Sequence, residues 1–148
     1  MLDNPFSLSL LWEVRYSLSS KTELLKELLL DLSRASQGNV EASAIISKSQ
    51  GLPIYSLYPE GPDEKRIPEE DVIAGRTIQI QEATRKVFKQ LKRGSLIRML
   101  IEGESGYVII CDAGNDAILA VLTNKRANIG YMFFSMSRTA RRIEQVLS

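Results

Sequence analysis

YVIICDAGNDAILAVLT, residues 107–123, is the stretch on which the reading of the fold turns. Its two halves, YVIICDA and AILAVLT, are apolar at nearly every position and are joined by Gly114-Asn115-Asp116. A strand with one wet face alternates apolar and polar residues, whereas a strand covered on both faces has no reason to. So short a link between them forces antiparallel pairing. The pair therefore reads as the centre of a sheet that has to be covered on both sides.

Working outward, SLIRMLIE (residues 95–102) leads into this pair through Gly103-Glu104-Ser105-Gly106 and reads as a third antiparallel strand. Further upstream, EASAIIS and LPIYSLY are joined by Lys48-Ser49-Gln50-Gly51 and read as a hairpin. Proline cannot donate to a ladder, so Pro53 marks the second of these as an edge strand. Residues 59–68, PEGPDEKRIP, carry three prolines and five charges and form a solvent loop.

Three helices fill the gaps. Ser20-Lys21-Thr22-Glu23 has capping-box spacing and starts a helix through Leu24, Leu25, Leu28, Leu29 and Leu32, closed at Gly38-Asn39. Pro68 followed by Glu69, Glu70 and Asp71 suits a helix N-terminus, and the helix runs to about Lys92. Its apolar stripe is read as Ile73, Thr77, Ile80, Val87 and Leu91, with Ile78 and Phe88 alongside. A last helix begins near Asn128 with Ile129, Met132, Phe133, Met136, Ala140, Ile143 and Leu147 inward, and Arg138, Arg141, Arg142 and Glu144 outward. The order is α-β-β-α-β-β-β-α, an α+β sandwich of a five-stranded antiparallel sheet with helices on its faces.

In front of this lies SLSLLWEVRYSL, residues 7–18, where Phe6, Leu8, Leu10, Trp12, Val14, Tyr16 and Leu18 occupy the even positions. That alternation predicts an extra strand. Three placements stay open: a strand added beside the Pro53 edge, an arm crossing to another subunit, or a helix through Leu8, Leu11, Trp12 and Tyr16. Residues 1–19 are taken as an N-terminal extension and 20–148 as one domain, a size at which roughly 68–70% of the unfolded chain's surface is buried.

Composition narrows the chemistry. With 19 basic and 18 acidic residues the net charge is +1, which gives no overall pull toward nucleic acid or an anionic membrane. There is no histidine, so the commonest general base and every Ser/His or Cys/His pair are missing. Glu69, Glu70 and Asp71 are explained by the helix dipole, Asp112 and Asp116 by a hairpin tip lacking EF-hand spacing, and no glycine pattern forms a phosphate cradle. The single Cys111 reads as a strand thiol. No catalytic, metal-binding or cofactor-binding residue is assigned. The N-terminus lacks a signal-peptide pattern and no 18-residue apolar run occurs, so a soluble, cytoplasmic protein without membrane insertion is expected.

The order and certain local features resemble the roadblock/dynein-light-chain family. They are Ser47-Lys48-Ser49-Gln50-Gly51-Leu52-Pro53 in the first hairpin, Ala74-Gly75 early in the long helix, the apolar hairpin DAGNDAILAVLT, and Asn128-Ile129-Gly130 opening the last helix. The resemblance covers about residues 20–148. It implies a profilin-like sandwich with strand order 2-1-5-4-3 that pairs through the long helix and the third strand. It also implies a non-catalytic scaffold or regulator of a Ras-like small GTPase, as a homodimer or paired with a related roadblock chain. The candidate partner surface is Arg76, Gln79, Lys86 and Gln90; the candidate dimer interface is Ile78, Glu82, Arg85, Leu96, Arg98 and Leu100. A structural adaptor without effect on nucleotide turnover, or a small-molecule sensor, are the alternative classes.

Overall fold

The computed structural model of the chain describes residues 5–63 and 65–148, with side chains at all of them except 5–10 and 12–19. Its elements are α1 (Pro5–Ala35), β1 (Val40–Ser47), β2 (Pro53–Leu57), α2 (Glu70–Gln90), β3 (Arg98–Glu102), β4 (Tyr107–Asp112), β5 (Ala117–Thr123) and α3 (Ile129–Leu147). The five strands form one antiparallel sheet in the order β2-β1-β5-β4-β3. The expected order, the central place of the apolar pair and the edge position of the Pro53 strand all hold.

Residues 7–18 do not extend the sheet. They lie within α1, so the strand reading gives way to the helical one. No glycine or proline interrupts the chain between Phe6 and Gln37, and lengthening a helix costs far less than nucleating one. Ser20 and Glu23, expected to start α1, sit inside it, and the boundary placed after residue 19 falls mid-helix.

The register sorts the sheet into two faces. Ile45, Ile109, Leu119 and Val121 point to one core with Leu25, Leu29 and Leu32 of α1 and Met132, Met136 and Ile143 of α3. Ala42, Ala44, Ile46, Ile110, Ile118 and Ala120 point to a second, smaller core beneath Ile73 and Ala74 of α2. Three of those strand residues are alanines, which lets α2 approach closely over β1 and β2. Asn128 caps α3, its Oδ1 accepting from the Tyr131 amide at 3.0 Å. The approach to α2 is pinned by Tyr58, whose hydroxyl donates to the Pro68 carbonyl at 2.8 Å. Burial, then the nearby Glu70, Glu69 and Asp71 carboxylates, push that phenol's pKa up, so it stays a donor. Among the described residues no helix is long and apolar enough to cross a membrane.

The stripe expected on α2 needs correction. The buried residues are Ile73, Ala74, Thr77 and Gln81, while Ile80, Val87 and Leu91 are exposed. The helix turns its small and polar residues toward the alanine-lined sheet and leaves its larger apolar side chains on an open flank.

Two glycines give opposite expectations. A Cβ on Gly106, in the β3–β4 turn, would lie 2.1 Å from the Thr123 carbonyl oxygen. Gly106→Ala should cost about 1–3 kcal/mol through backbone displacement. A Cβ on Gly75, in α2, meets nothing within 4 Å, and Gly75→Ala should gain about 0.5–1 kcal/mol. Urea unfolding midpoints should move in opposite directions for the two variants.

Candidate functional site

Since α2 rests over β1 and β2 and reaches β4 at Ile110 and Asp112, the same sheet face stays partly open over Ile101 of β3 and Val108 of β4. Val72, Arg76 and Ile80 on the helix flank face Ile101, Val108 and Leu122 across an open groove of about 490 Å³. Val87 and Leu91 continue the apolar flank toward the helix C-terminus, Leu91 being 60% exposed. Arg76 and Gln79 stand at the rim, with Arg76 Nη1 donating to Gln79 Oε1 at 2.8 Å. Beside the groove, β3 is the last strand of the sheet, so one row of its backbone groups is unpaired within the chain. An apolar trough with a polar rim and a free strand edge is the composition of a protein-binding surface.

The residues singled out from sequence are only partly brought together. Arg76 and Gln79 meet at the groove, and Lys86 and Gln90 are exposed farther along α2. Ile78 is half-buried against the smaller core, Glu82 is exposed, and Arg85 is held by Asp112. Leu96 is half-buried before β3. Arg98 and Leu100 pair with Cys111 and Ile109, so they share the sheet face that carries α1 and α3. The six candidate interface residues thus divide between the two faces.

What sequence reading missed is a polar node around Asp112. Its Oδ1 accepts from Gln81 Nε2 at 2.7 Å and from Arg85 Nη2 at 3.2 Å, and lies 3.1 Å from Lys48 Nζ. Lys48 also donates to the Gly114 carbonyl at 3.1 Å. One carboxylate thereby ties α2, the β1–β2 turn and the β4–β5 turn together. Gln81 is buried and among the described residues its Oε1 has no partner, so there the amide's bond to Asp112 is its one side-chain compensation. A glutamine at an inward helical position was the available signal, but the partners lie far apart in the chain. Next to this node, burial and then the Asp112 charge push the Cys111 thiol up to about 12, against the opposing effect of Arg98.

A profile of the Roadblock/LC7 domain matches residues 25–123, more than half of the chain, and the chain belongs to that family. An uncharacterized protein of Methanocaldococcus jannaschii is 27% identical over 121 residues, covering 82% of this chain and 97% of its own length. Among solved structures, the gliding protein MglB of Thermus thermophilus is similar with a TM-score of 0.75 at 18% identity, covering 85% of this chain and 90% of its own. MglB in a tetrameric arrangement gives 0.76 at 19% identity, covering 85% and 89%. These likenesses establish a shared fold.

Gln81, Asp112 and Lys48 all lie within the matched span. Asp112→Ala leaves the buried Gln81 amide without its partner and removes the carboxylate shared by Lys48 and Arg85, and should cost about 1–3 kcal/mol in urea unfolding. Adding Gln81→Leu should recover part of that loss, because the stranded buried amide is then gone. With its thiol pushed up to about 12, Cys111 should react with a thiol reagent at pH 8 far more slowly in the folded chain than in urea.

Proposed function

We propose that this Roadblock/LC7 chain acts as a non-catalytic homodimeric scaffold that binds a Ras-like small GTPase. The observation that carries the reading is the uncovered flank of α2, Val72, Ile80, Val87 and Leu91, lying beside the partly open face at Ile101 and Val108. A second copy related by a two-fold axis would cover both at once, and the unpaired edge of β3 could continue the sheet across the pair. The charges on α2 favour such a partner. Glu69, Glu70 and Asp71 stand at its N-terminal end and Arg85, Lys86 and Lys89 at the other, so antiparallel copies bring opposite charges near each other. Similarity in fold to an MglB found in a tetrameric arrangement is in keeping with self-association.

In such a pair Gln79, Lys86 and Gln90 of both helices stay on the outside, with Arg76 at the seam. This is the surface assigned to the GTPase, by way of the family resemblance. Regulation there needs no group that reacts: ordering the partner's own water-positioning residue, or lending an arginine in trans, is enough. The groove is open along its length, which favours a protein surface over an enclosed small molecule.

Light scattering after gel filtration tests both halves of the reading. The wild-type chain should run as a dimer, and Ile80→Glu as a folded monomer, its dimer dissociation constant raised by about thirtyfold or more. Mixed with Ras-like GTPases of the same source, the dimer should retain the form loaded with a GTP analogue, and Gln79→Glu/Gln90→Glu, on the outer side of the pair, should weaken that by about tenfold while leaving the dimer intact. A wild-type monomer would overturn the pairing. Binding that ignores the nucleotide would make the chain a structural adaptor instead.

A further inference from the structure

The face that carries α1 and α3 is also incompletely covered. Five strands spaced about 4.8 Å apart span more width than two helices of about 10 Å can cover. Here α1 lies toward β2 and α3 over β4 and β5, so β3 is the strand least covered on this face. Between β3 and α3 runs a groove of about 280 Å³ floored by Ile109, Cys111, Met136 and Ala140. Its β3 margin is greasy, with Ile97 72% exposed.

Two arginines face this groove from its two sides. Arg98 reaches it from β3, its guanidinium carbon 4.9 Å from the centre of the Phe133 ring. Arg141, on α3, donates from Nε to the Ser137 carbonyl at 3.4 Å. Among the described residues neither has an ion-pair partner. Asp112, which lines one end, is held by Lys48 and Arg85, and Glu102 by Lys125, which leaves Glu144, outside the groove lining, as the nearby acid without a cation partner among the described residues. Unpaired arginines are weakly hydrated and offer planar forks that match carboxylates.

We propose that the groove between β3 and α3 is a docking site for an acidic amphipathic helix of a partner protein, lying alongside α3 as a third helix on this face. Its apolar stripe would cover Ile97, Phe133 and the groove floor, and carboxylates flanking that stripe would reach Arg98 and Arg141. The site lies within one chain and on the sheet face opposite α2, so it does not depend on the pairing or the GTPase surface proposed above.

The probe is a fluorescein-labelled peptide of about five helical turns, with leucine at i, i+3, i+4 and i+7 and glutamate elsewhere, titrated with the full chain by fluorescence anisotropy. Saturable binding that weakens with salt is expected. It should weaken about tenfold in Arg98→Glu/Arg141→Glu, and also in Ile97→Ser, with circular dichroism and light scattering unchanged in both. A peptide with lysine in place of glutamate should not bind. No saturable binding, equal binding of the lysine peptide, or indifference to both variants would overturn the site. So would co-sedimentation with phosphatidylserine vesicles in the absence of peptide binding, which would make the arginines a lipid contact.

Discussion

β5 is dry on both faces, and a strand buried on both faces has to be covered from both sides. The chain has three helices with which to do it. Two stack on one face and one on the other, and neither arrangement spans five strands. The least covered strip falls on β3 on both faces, since β3 is farthest from β1 and β5, where the helices concentrate. Both surfaces that the molecule offers to others, the trough beside α2 and the groove beside α3, come from this shortfall of cover.

The node at Asp112 stands at the boundary between the covered and partly open parts. It is only partly buried, and its cations are partly exposed, so its value lies in position more than in electrostatic strength. It sets where the C-terminal half of α2 lies relative to β4. It thus fixes the width of the trough whose other wall is Ile101 and Val108. At the far end of the sheet, Lys125 and the Tyr107 hydroxyl hold the Glu102 carboxyl below its ordinary range, chiefly through the lysine hydrogen bond. This surface interaction marks the β3–β4 turn as charged and keeps that tip of the edge strand unattractive to stray strands.

Much of this could be read from residue order because composition and periodicity are local. The apolar runs at 107–113 and 117–123, Pro53 at the start of β2 and Asn128 ahead of α3 each announce one structural role that the fold then uses. Where the reading failed, the residues had two roles. Leucine and serine alternate in 7–18 as they would in a strand, yet nothing there stops a helix begun elsewhere, and period two lost to continuity with α1. On α2, Ile73 and Thr77 were read as inward and are, but so were Ile80, Val87 and Leu91, because apolar residues usually are; the remaining burial inside the chain went to Ala74 and Gln81, which suit an alanine-lined floor. Asp112, Lys48 and Gln81 meet only once three separate elements have assembled, and no local pattern carries that information.

The sheet order also bears on how the chain folds. β1 has its β2 neighbour at once, across a short turn, but its other neighbour is β5, with Val40 set against Thr123. During synthesis the Ile45 and Ile46 region therefore waits beside an open edge while α2, β3 and β4 are made, and the sheet closes only when β5 arrives to fill the gap. Contacts so distant along the chain slow folding and lengthen the time an apolar strand edge is available for wrong pairing. A lesion in β5 should accordingly be felt more in the yield of folded protein from cells than one of equal energetic cost in β2.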